Sequence, residues 1–186
     1  MSNSHNLLNP GLRGWLIADR FDFADRGDIS LDDGVLKIGR GKPASGLSFH
    51  GPLPDKFYKL TWEARRVDGS DFFCGMTFPI RGSHATLIVG GWGGGVIGIS
   101  NIDNMSAVEN QTTDYREFEM NRWYQFELEV GQTALIFKID DETVIDLNHD
   151  NLKYSIWWEQ EQMTPIGIAT WHTASEIRKL VLHEIE

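Results

Sequence analysis

Apolar and polar residues alternate with a period of two along much of this chain, and no stretch sustains the three-to-four-residue spacing of an amphipathic helix. Over residues 58–67, Leu60, Trp62 and Ala64 fall on one face and Thr61, Glu63 and Arg65 on the other, which predicts a half-buried strand. Val35–Ile38 follows the turn pair Asp33-Gly34, after the apolar anchors Phe21, Phe23 and Ile29. Asp68-Gly69-Ser70 leads into an apolar run over 72–78 that ends at Pro79, the pattern of a hairpin. Strands are predicted next at 85–89 and Val96–Ser100, separated by a glycine cluster around Trp92. Residues 123–130, Ala134–Ile139 and 143–147 read as a meander with turns at Gly131-Gln132 and Asp140-Asp141, and 165–170 and 177–185 supply the last strands. Two segments, 103–109 and 157–162, have room for a helical turn. Roughly a dozen short strands separated by turns predict an all-β domain, a two-sheet antiparallel jelly-roll sandwich over 14–186 with an N-terminal extension over 1–13.

Composition narrows the partners. A chain of 186 residues, 41% apolar, is long enough for one core that buries roughly 70% of the extended surface. The net charge of -10, with 17 scattered basic residues, leaves no footprint for a phosphate backbone and repels anionic lipid and polyanionic substrates. Nucleic acid and membrane are therefore excluded as expected partners, and a neutral ligand fits better. No run reaches the 18 or more apolar residues of a membrane span, so a soluble protein is expected. Residues 1–9 lack the order of a secretory signal. The sequence as it stands reads as cytoplasmic, or as secreted or periplasmic if a signal has been removed, and it leaves the oligomeric state open. The single cysteine, Cys74, cannot form an intrachain disulfide and sits among Phe72, Phe73 and Met76, the setting of a buried, inert thiol.

Several strings carry a resemblance. Phe21-Asp22-Phe23 followed by Asp33-Gly34-Val35-Leu36 is similar to the first hairpin of concanavalin A-like lectin and glucanase domains. The strings at 71–79 (DFFCGMTFP), 87–94 (LIVGGWGG), 102–110 (IDNMSAVEN), 122–124 (RWY) and 165–171 (PIGIATW) resemble bacterial proteins of the 3-keto-disaccharide hydrolase domain family. The resemblance runs from about Gly14 to the C-terminus. It implies a jelly roll with a concave sheet facing a sugar-sized carbohydrate ligand and, for the wider family, activity on oxidised glycosides.

The chemistry of such a reaction defines the residues to look for. A ketone at C3 acidifies the C2 proton, so the site needs a general base, an acid for the leaving oxygen, and a cation or hydrogen-bond donor at the enolate oxygen. Glu63 is a candidate base and Arg65, on the same strand face, its positioning or enolate-binding partner; the alternative is a structural ion pair. His84 could act as an acid or metal ligand, or be a plain loop histidine. Trp92, amid glycines that allow close backbone approach, could stack on a sugar ring or wedge between the sheets. Asp103, Asn104, Glu109 and Asn110 place four oxygen-bearing side chains in one loop, suited to sugar hydroxyls, to a hard cation such as calcium, or to turn capping; Glu109 is also a candidate catalytic carboxylate. Trp171 and His172 at a strand end could line the concave face. Trp157-Trp158 must expose one ring if extended, offering a sugar platform or an oligomer contact.

Other sites are disfavoured. The Glu-x-Asp-x-Glu strand of retaining glucanases is absent, and the carboxylates at 117/119, 127/129, 140–142 and 159/161 read as solvent-facing or turn residues. Asp19, Asp22, Asp25 and Asp28 lack the glycine and bidentate glutamate of a calcium loop, and the six histidines show no zinc spacing. Two functions remain: an enzyme cleaving 3-keto glycosides by base-assisted elimination and hydration, or a non-catalytic carbohydrate-binding module.

Overall fold

The computed structural model describes residues 3–186. Among the described residues the chain forms fifteen strands. In order they are β1 (Ser4–Asn6), β2 (Trp15–Ile17), β3 (Ile29–Asp32), β4 (Val35–Ile38), β5 (Ala44–Phe49), β6 (Phe57–Gly69), β7 (Cys74–Ile80) and β8 (Ser83–Gly91). There follow β9 (Val96–Ser100), β10 (Asp114–Tyr115), β11 (Tyr124–Val130), β12 (Ala134–Ile139), β13 (Glu142–Asn148), β14 (Ile166–Trp171) and β15 (Thr173–Ile185). Short 3-10 turns lie at Phe21–Phe23 and Trp158–Met163. No helix among the described residues is long and apolar enough to cross a membrane.

The strands make two antiparallel sheets. The first runs β13-β12-β11-β6-β15-β4-β3, with β1 also paired to β15. The second runs β10-β9-β8-β7-β14-β5-β2. The chain passes between sheets at β1 to β2, β2 to β3, β4 to β5, β5 to β6, β6 to β7, β10 to β11, β13 to β14 and β14 to β15, and the longest strands, β6 and β15, pair with each other centrally in the first sheet. This is a jelly-roll sandwich. Three of its hairpins close on residue pairs with positive φ: Asp33 and Gly34 at 48° and 75°, Arg81 and Gly82 at 47° and 75°, Asp140 and Asp141 at 48° and 67°. That left-handed pair matches the right-handed twist of the flanking strands, and glycine and aspartate adopt it at low cost.

Between the sheets, alternation along each strand delivers one face to the core. Leu60, Trp62 and Ala64 of β6 point inward, as do Phe126, Leu128 and Val130 of β11 and Cys74, Met76 and Phe78 of β7. Trp62 lies 5.4 Å from Phe126, centroid to centroid, and Phe126 stacks on Phe137 at 5.9 Å. The Cys74 thiol is fully enclosed here and burial pushes its pKa up to about 12, which makes it inert as a nucleophile.

Four local features differ from the pattern-based expectation. β5 is buried along its whole length, because β2 and β14 flank it and both its faces are covered; its small residues show no alternation. β7 continues through Pro79, which the ladder tolerates because β14 pairs with β7 only at 75–77. The segment 103–109 is an irregular loop pinned by bridges from Ile102 to Met105 and Tyr154, with no helical turn. At the N-terminal side, β1 is a strand of the first sheet, and Leu7 and Leu8 are buried in the core.

Candidate functional site

The outer face of the second sheet carries a cleft. Outward positions of β5 and β14 are small: Ala44, Gly46, Gly167 and Ala169. On them seat Phe23 and Met163 from the two 3-10 turns, which with Ala18, Phe72, Ile88 and Ala107 form a second, smaller apolar cluster. The area of sheet left uncovered is a cleft of about 490 Å³ lined by Asp71, Phe72, Thr86, Ile88, Trp92, Ser100, Trp157, Glu159, Gln160 and Trp171. Three indoles wall it. Trp92 comes from the β8–β9 turn and is 49% exposed; Trp157 precedes the second 3-10 turn and is 46% exposed; Trp171 ends β14. Trp158 turns its ring edge-on to Phe21 at 5.6 Å instead.

The polar groups of the floor satisfy one another. Thr86 Oγ1 and Thr77 Oγ1 lie 2.8 Å apart, and Ser100 Oγ accepts the Ala107 amide at 2.9 Å. The rim differs. Glu159 Oε2 and Gln160 Oε1 are buried with no hydrogen-bond partner, and Gln160 as a whole is only 7% exposed. An unpartnered buried oxygen costs stability, and a ligand that donates to it recovers that cost. Asp71, which also lines the cleft, accepts the Phe72 amide through Oδ1 at 2.8 Å and the Gly93 amide through Oδ2 at 3.5 Å.

Beneath Trp92 lies Arg66, on β6. Its side chain is 5% exposed, and Nη2 donates to the carbonyls of Asp71, Gly90 and Gly94 at 3.0, 3.1 and 2.9 Å. The guanidinium also sits 5.0 Å from the Phe73 ring centroid. Burial lowers its pKa, partly offset by the charge of Asp71. One buried cation therefore ties the Asp71 turn to the glycine turn that presents Trp92. Arg66 shares strand parity with Ala64 and Trp62, so an arginine on the apolar face of β6 was the available signal in the sequence.

The structure divides the candidates read from the sequence. Trp92 and Trp171 line the cleft, and His172 stands edge-on to Trp171 at 5.9 Å in the turn that follows it. Glu63 and Arg65 are not brought there: they lie on the outer face of the first sheet, the far side of the sandwich. Glu63 accepts from Arg178 Nε and from Lys179 Nζ, the latter at 3.0 Å, while Arg65 Nε donates to Glu176 at 2.7 Å. Arg65 and Arg178 also flank the Trp123 ring, at 4.7 and 3.9 Å from its centroid. Glu63 and Arg65 do not pair with each other; each is held by other partners on that face, away from Trp92. His84 lies at the start of β8, in a separate cavity with Arg81 and Lys56, and burial lowers its pKa.

In the loop after β9, the side chains of Asp103, Glu109 and Asn110 are engaged by the chain itself. Asn110 Nδ2 donates to the carbonyls of Ile99, Met105 and Ser106, and its Oδ1 accepts from the Thr112 amide and hydroxyl. Glu109 accepts from the Ser106 hydroxyl at 3.2 Å, and Asp103 from the Lys153 amide at 3.0 Å. Asp103 and Asn104 are a turn pair with φ of 49° and 63°. These are turn and cap duties, and among the described residues no three His, Cys, Asp or Glu side chains converge as a metal-binding group. The residues that the sequence reading passed over are Asp71, Glu159, Gln160 and Arg66.

The Glu63 network has a testable consequence. Burial alone would raise the Glu63 pKa, but the hydrogen bonds and charges of Arg178 and Lys179 outweigh it and hold the carboxyl below its ordinary value of 4.5. A folded-state pKa below the unfolded one adds stability that is present above the unfolded value and is lost as pH falls through the folded value. Thermal melts followed by circular dichroism between about pH 7 and about pH 3 should show this acid loss. Glu63→Gln is expected to melt lower at neutral pH, by roughly 1–2 kcal/mol, and to show a shallower decline on acidification.

Solved structures with this fold include the carbohydrate-binding module CBM66 from Bacillus subtilis, 13% identical, with a TM-score of 0.60 over 92% of this chain and 96% of that one. A candidate glycosyl hydrolase from Parabacteroides distasonis is 9% identical, with a TM-score of 0.61 over 98% and 94% of the two chains. The alginate lyase AlgAT5 of polysaccharide lyase family 7 is 7% identical, with a TM-score of 0.57 over 94% and 96%. At these identities the likeness is one of fold, and it places the sandwich among jelly rolls that serve carbohydrate-binding modules, glycosyl hydrolases and lyases. No curated protein sequence matches the chain. Residues 7–183, nearly the whole of the sandwich just described, match the model of the 3-keto-alpha-glucoside-1,2-lyase-like domain, and the chain belongs to that family.

Proposed function

We propose that the cleft on the second sheet binds a glycoside and that the protein opens a 3-keto glycoside by elimination across C1 and C2. The observation that carries this reading is the pairing of three tryptophan rings with two buried, unpartnered oxygens, those of Glu159 and Gln160, in one cleft. Indole faces stack on the apolar face of a pyranose, and the free oxygens accept from its hydroxyls. Glu159 is the candidate base. Its carboxylate takes the C2 proton, the electron pair moves into the enolate of the C3 ketone, and the enolate then re-forms the ketone and makes the C1–C2 double bond as the C1–O bond breaks, the leaving oxygen taking a proton from the Glu159 carboxyl or from water. The Gln160 amide offers a hydrogen-bond donor to a ring hydroxyl or to the enolate oxygen. Water addition to the unsaturated product completes hydrolysis.

A non-catalytic binding module is the second reading, favoured by the openness of a cleft whose Trp92 and Trp157 rings are each about half exposed. One pair of measurements separates the two. Calorimetric titration with a glycoside should show Trp92→Ala and Trp157→Ala each weakening binding about tenfold. Turnover of a 3-keto glucoside should fall about 10²–10⁴-fold in Glu159→Gln. Parental turnover in that variant removes Glu159 as the base; binding without turnover by the parent protein leaves the module.

A further inference from the structure

Several carboxylates elsewhere on this molecule are matched by cations. Glu63 meets Arg178 and Lys179, Glu176 meets Arg65, and Glu127 meets Lys59 and Lys138. The cleft breaks this habit. Asp71 and Glu159 line it, and among the described residues no lysine, arginine or histidine does. Arg66 lies under the Asp71 turn and offsets part of its charge, but its hydrogen bonds go to backbone carbonyls and its guanidinium is buried. Glu159 Oε2 has no donor, and the neighbouring Gln160, which also lines the cleft and is more than nine-tenths buried, has a second unpartnered oxygen. The unpartnered oxygens of Glu159 and Gln160 are acceptors, and an indole ring, of which three line the cleft, attracts a cation to its face.

From this we infer that the cleft selects glycosides by charge, taking an amino sugar in its ammonium form in preference to the neutral sugar and rejecting sugars that carry a carboxylate. The inference rests on the glycoside reading above and adds the substrate class. An ammonium donates to Glu159 and Gln160 and lies against an indole face, gaining charge-assisted hydrogen bonds and a cation–π contact that a hydroxyl does not match. A uronate brings a further negative charge between two carboxylates, with no cation on the cleft wall to receive it.

Calorimetric titration with three probes of matched anomeric form tests the idea: a methyl glucoside, the corresponding methyl glucosaminide with a free amine, and the methyl glucuronide. At about pH 6 the amine is protonated and the uronate ionised. The expected order is glucosaminide about tenfold tighter than glucoside, and glucuronide at least tenfold weaker, with the spread narrowing as salt is raised. In Asp71→Asn and in Glu159→Gln, the ratio of glucosaminide to glucoside affinity should fall towards one and the glucuronide should gain. Two such variants guard against one failing to fold, and the asparagine side chain of the first keeps an oxygen for the Phe72 amide. Glucuronide bound as tightly as glucoside, or glucosaminide bound no better, overturns charge selection and leaves the glycoside reading standing. Failure of all three probes to bind overturns the glycoside reading, and charge selection with it.

Discussion

Arg66→Met is expected to lower stability by about 3–4 kcal/mol and to weaken glycoside binding in the same protein. Methionine approximates the aliphatic stem and is tolerated by the surrounding apolar groups, so the loss is concentrated in the charged donor. Nη2 serves the carbonyls of Asp71, Gly90 and Gly94, and without it three carbonyls in a buried setting lose a partner together. The cation also leaves the face of Phe73. For a chain of this length the change corresponds to a fall in Tm of roughly 10 °C, measurable by calorimetry or circular dichroism. The functional effect follows from geometry. Asp71 and Trp92 belong to different turns that this side chain joins, alongside the bond from the Gly93 amide to Asp71 Oδ2, so the variant should bind glycoside more weakly even well below its melting temperature. Arg66→Lys, whose ammonium has three donors on a shorter stem, should recover part of both losses. Parental stability in the methionine variant would show that the three carbonyls find other donors.

The second large effect is expected at a residue that touches no ligand. A Cβ placed on Gly167 would lie 2.3 Å from the Met163 carbonyl oxygen and 2.6 Å from Met163 Cα and Cβ, so an alanine there cannot coexist with the 3-10 turn in its present seat. Backbone cannot yield as a side-chain tip does. Gly167→Ala should therefore lift the turn off β14, at a cost of about 1–3 kcal/mol. The same displacement carries Glu159 and Gln160 out of the cleft, and glycoside affinity should fall tenfold or more. Gly46 faces the other side of the same seat, 2.8 Å from Met163 Sδ, 2.9 Å from Phe23 and 2.9 Å from the Ile168 carbonyl oxygen by the same construction; its approaches are longer than those at Gly167, and the Met163 and Phe23 atoms are side-chain ends that can shift. Gly46→Ala should accordingly be the milder of the two. The pair of melts and titrations checks the ranking; equal affinity in Gly167→Ala and the parent would mean that the turn does not position the cleft.

The alternation of Leu60, Trp62 and Ala64 against Thr61, Glu63 and Arg65 was readable because a strand sorts its side chains by parity without reference to anything else in the chain. Turn pairs such as Asp33-Gly34 and Asp140-Asp141 were readable for a similar reason, since their φ values are local properties of two residues. β5 was not, because its burial comes from neighbours on both edges and both faces, and a strand of small residues has no alternation to reveal it. The site was legible in part. A tryptophan among glycines, a tryptophan closing β14 and an adjacent tryptophan pair each drew notice by composition, and Trp92, Trp171 and Trp157 line one cleft. Glu159 and Gln160, by contrast, look like any solvent-facing acidic and amide run. Their chemistry comes from being pressed, by Met163 on Gly167, against a sheet formed by residues far away in sequence.

Glu63 marks the boundary between the two kinds of information. Parity placed it correctly on the outward face of β6 beside Arg65, but parity cannot say which of two sheets a strand joins or which surface its outward face shares. The pairing of β6 with β11 and β15 put it opposite Arg178 and Lys179, and the crossing of the chain to β7 put the cleft on the other layer. By itself, then, the order of apolar and polar residues determined strands, turns, the two-layer architecture and a set of aromatic side chains in search of a ligand. Only the tertiary structure decided which of them meet, because contacts between residues tens of positions apart depend on sheet order and register, and those are properties of the whole chain.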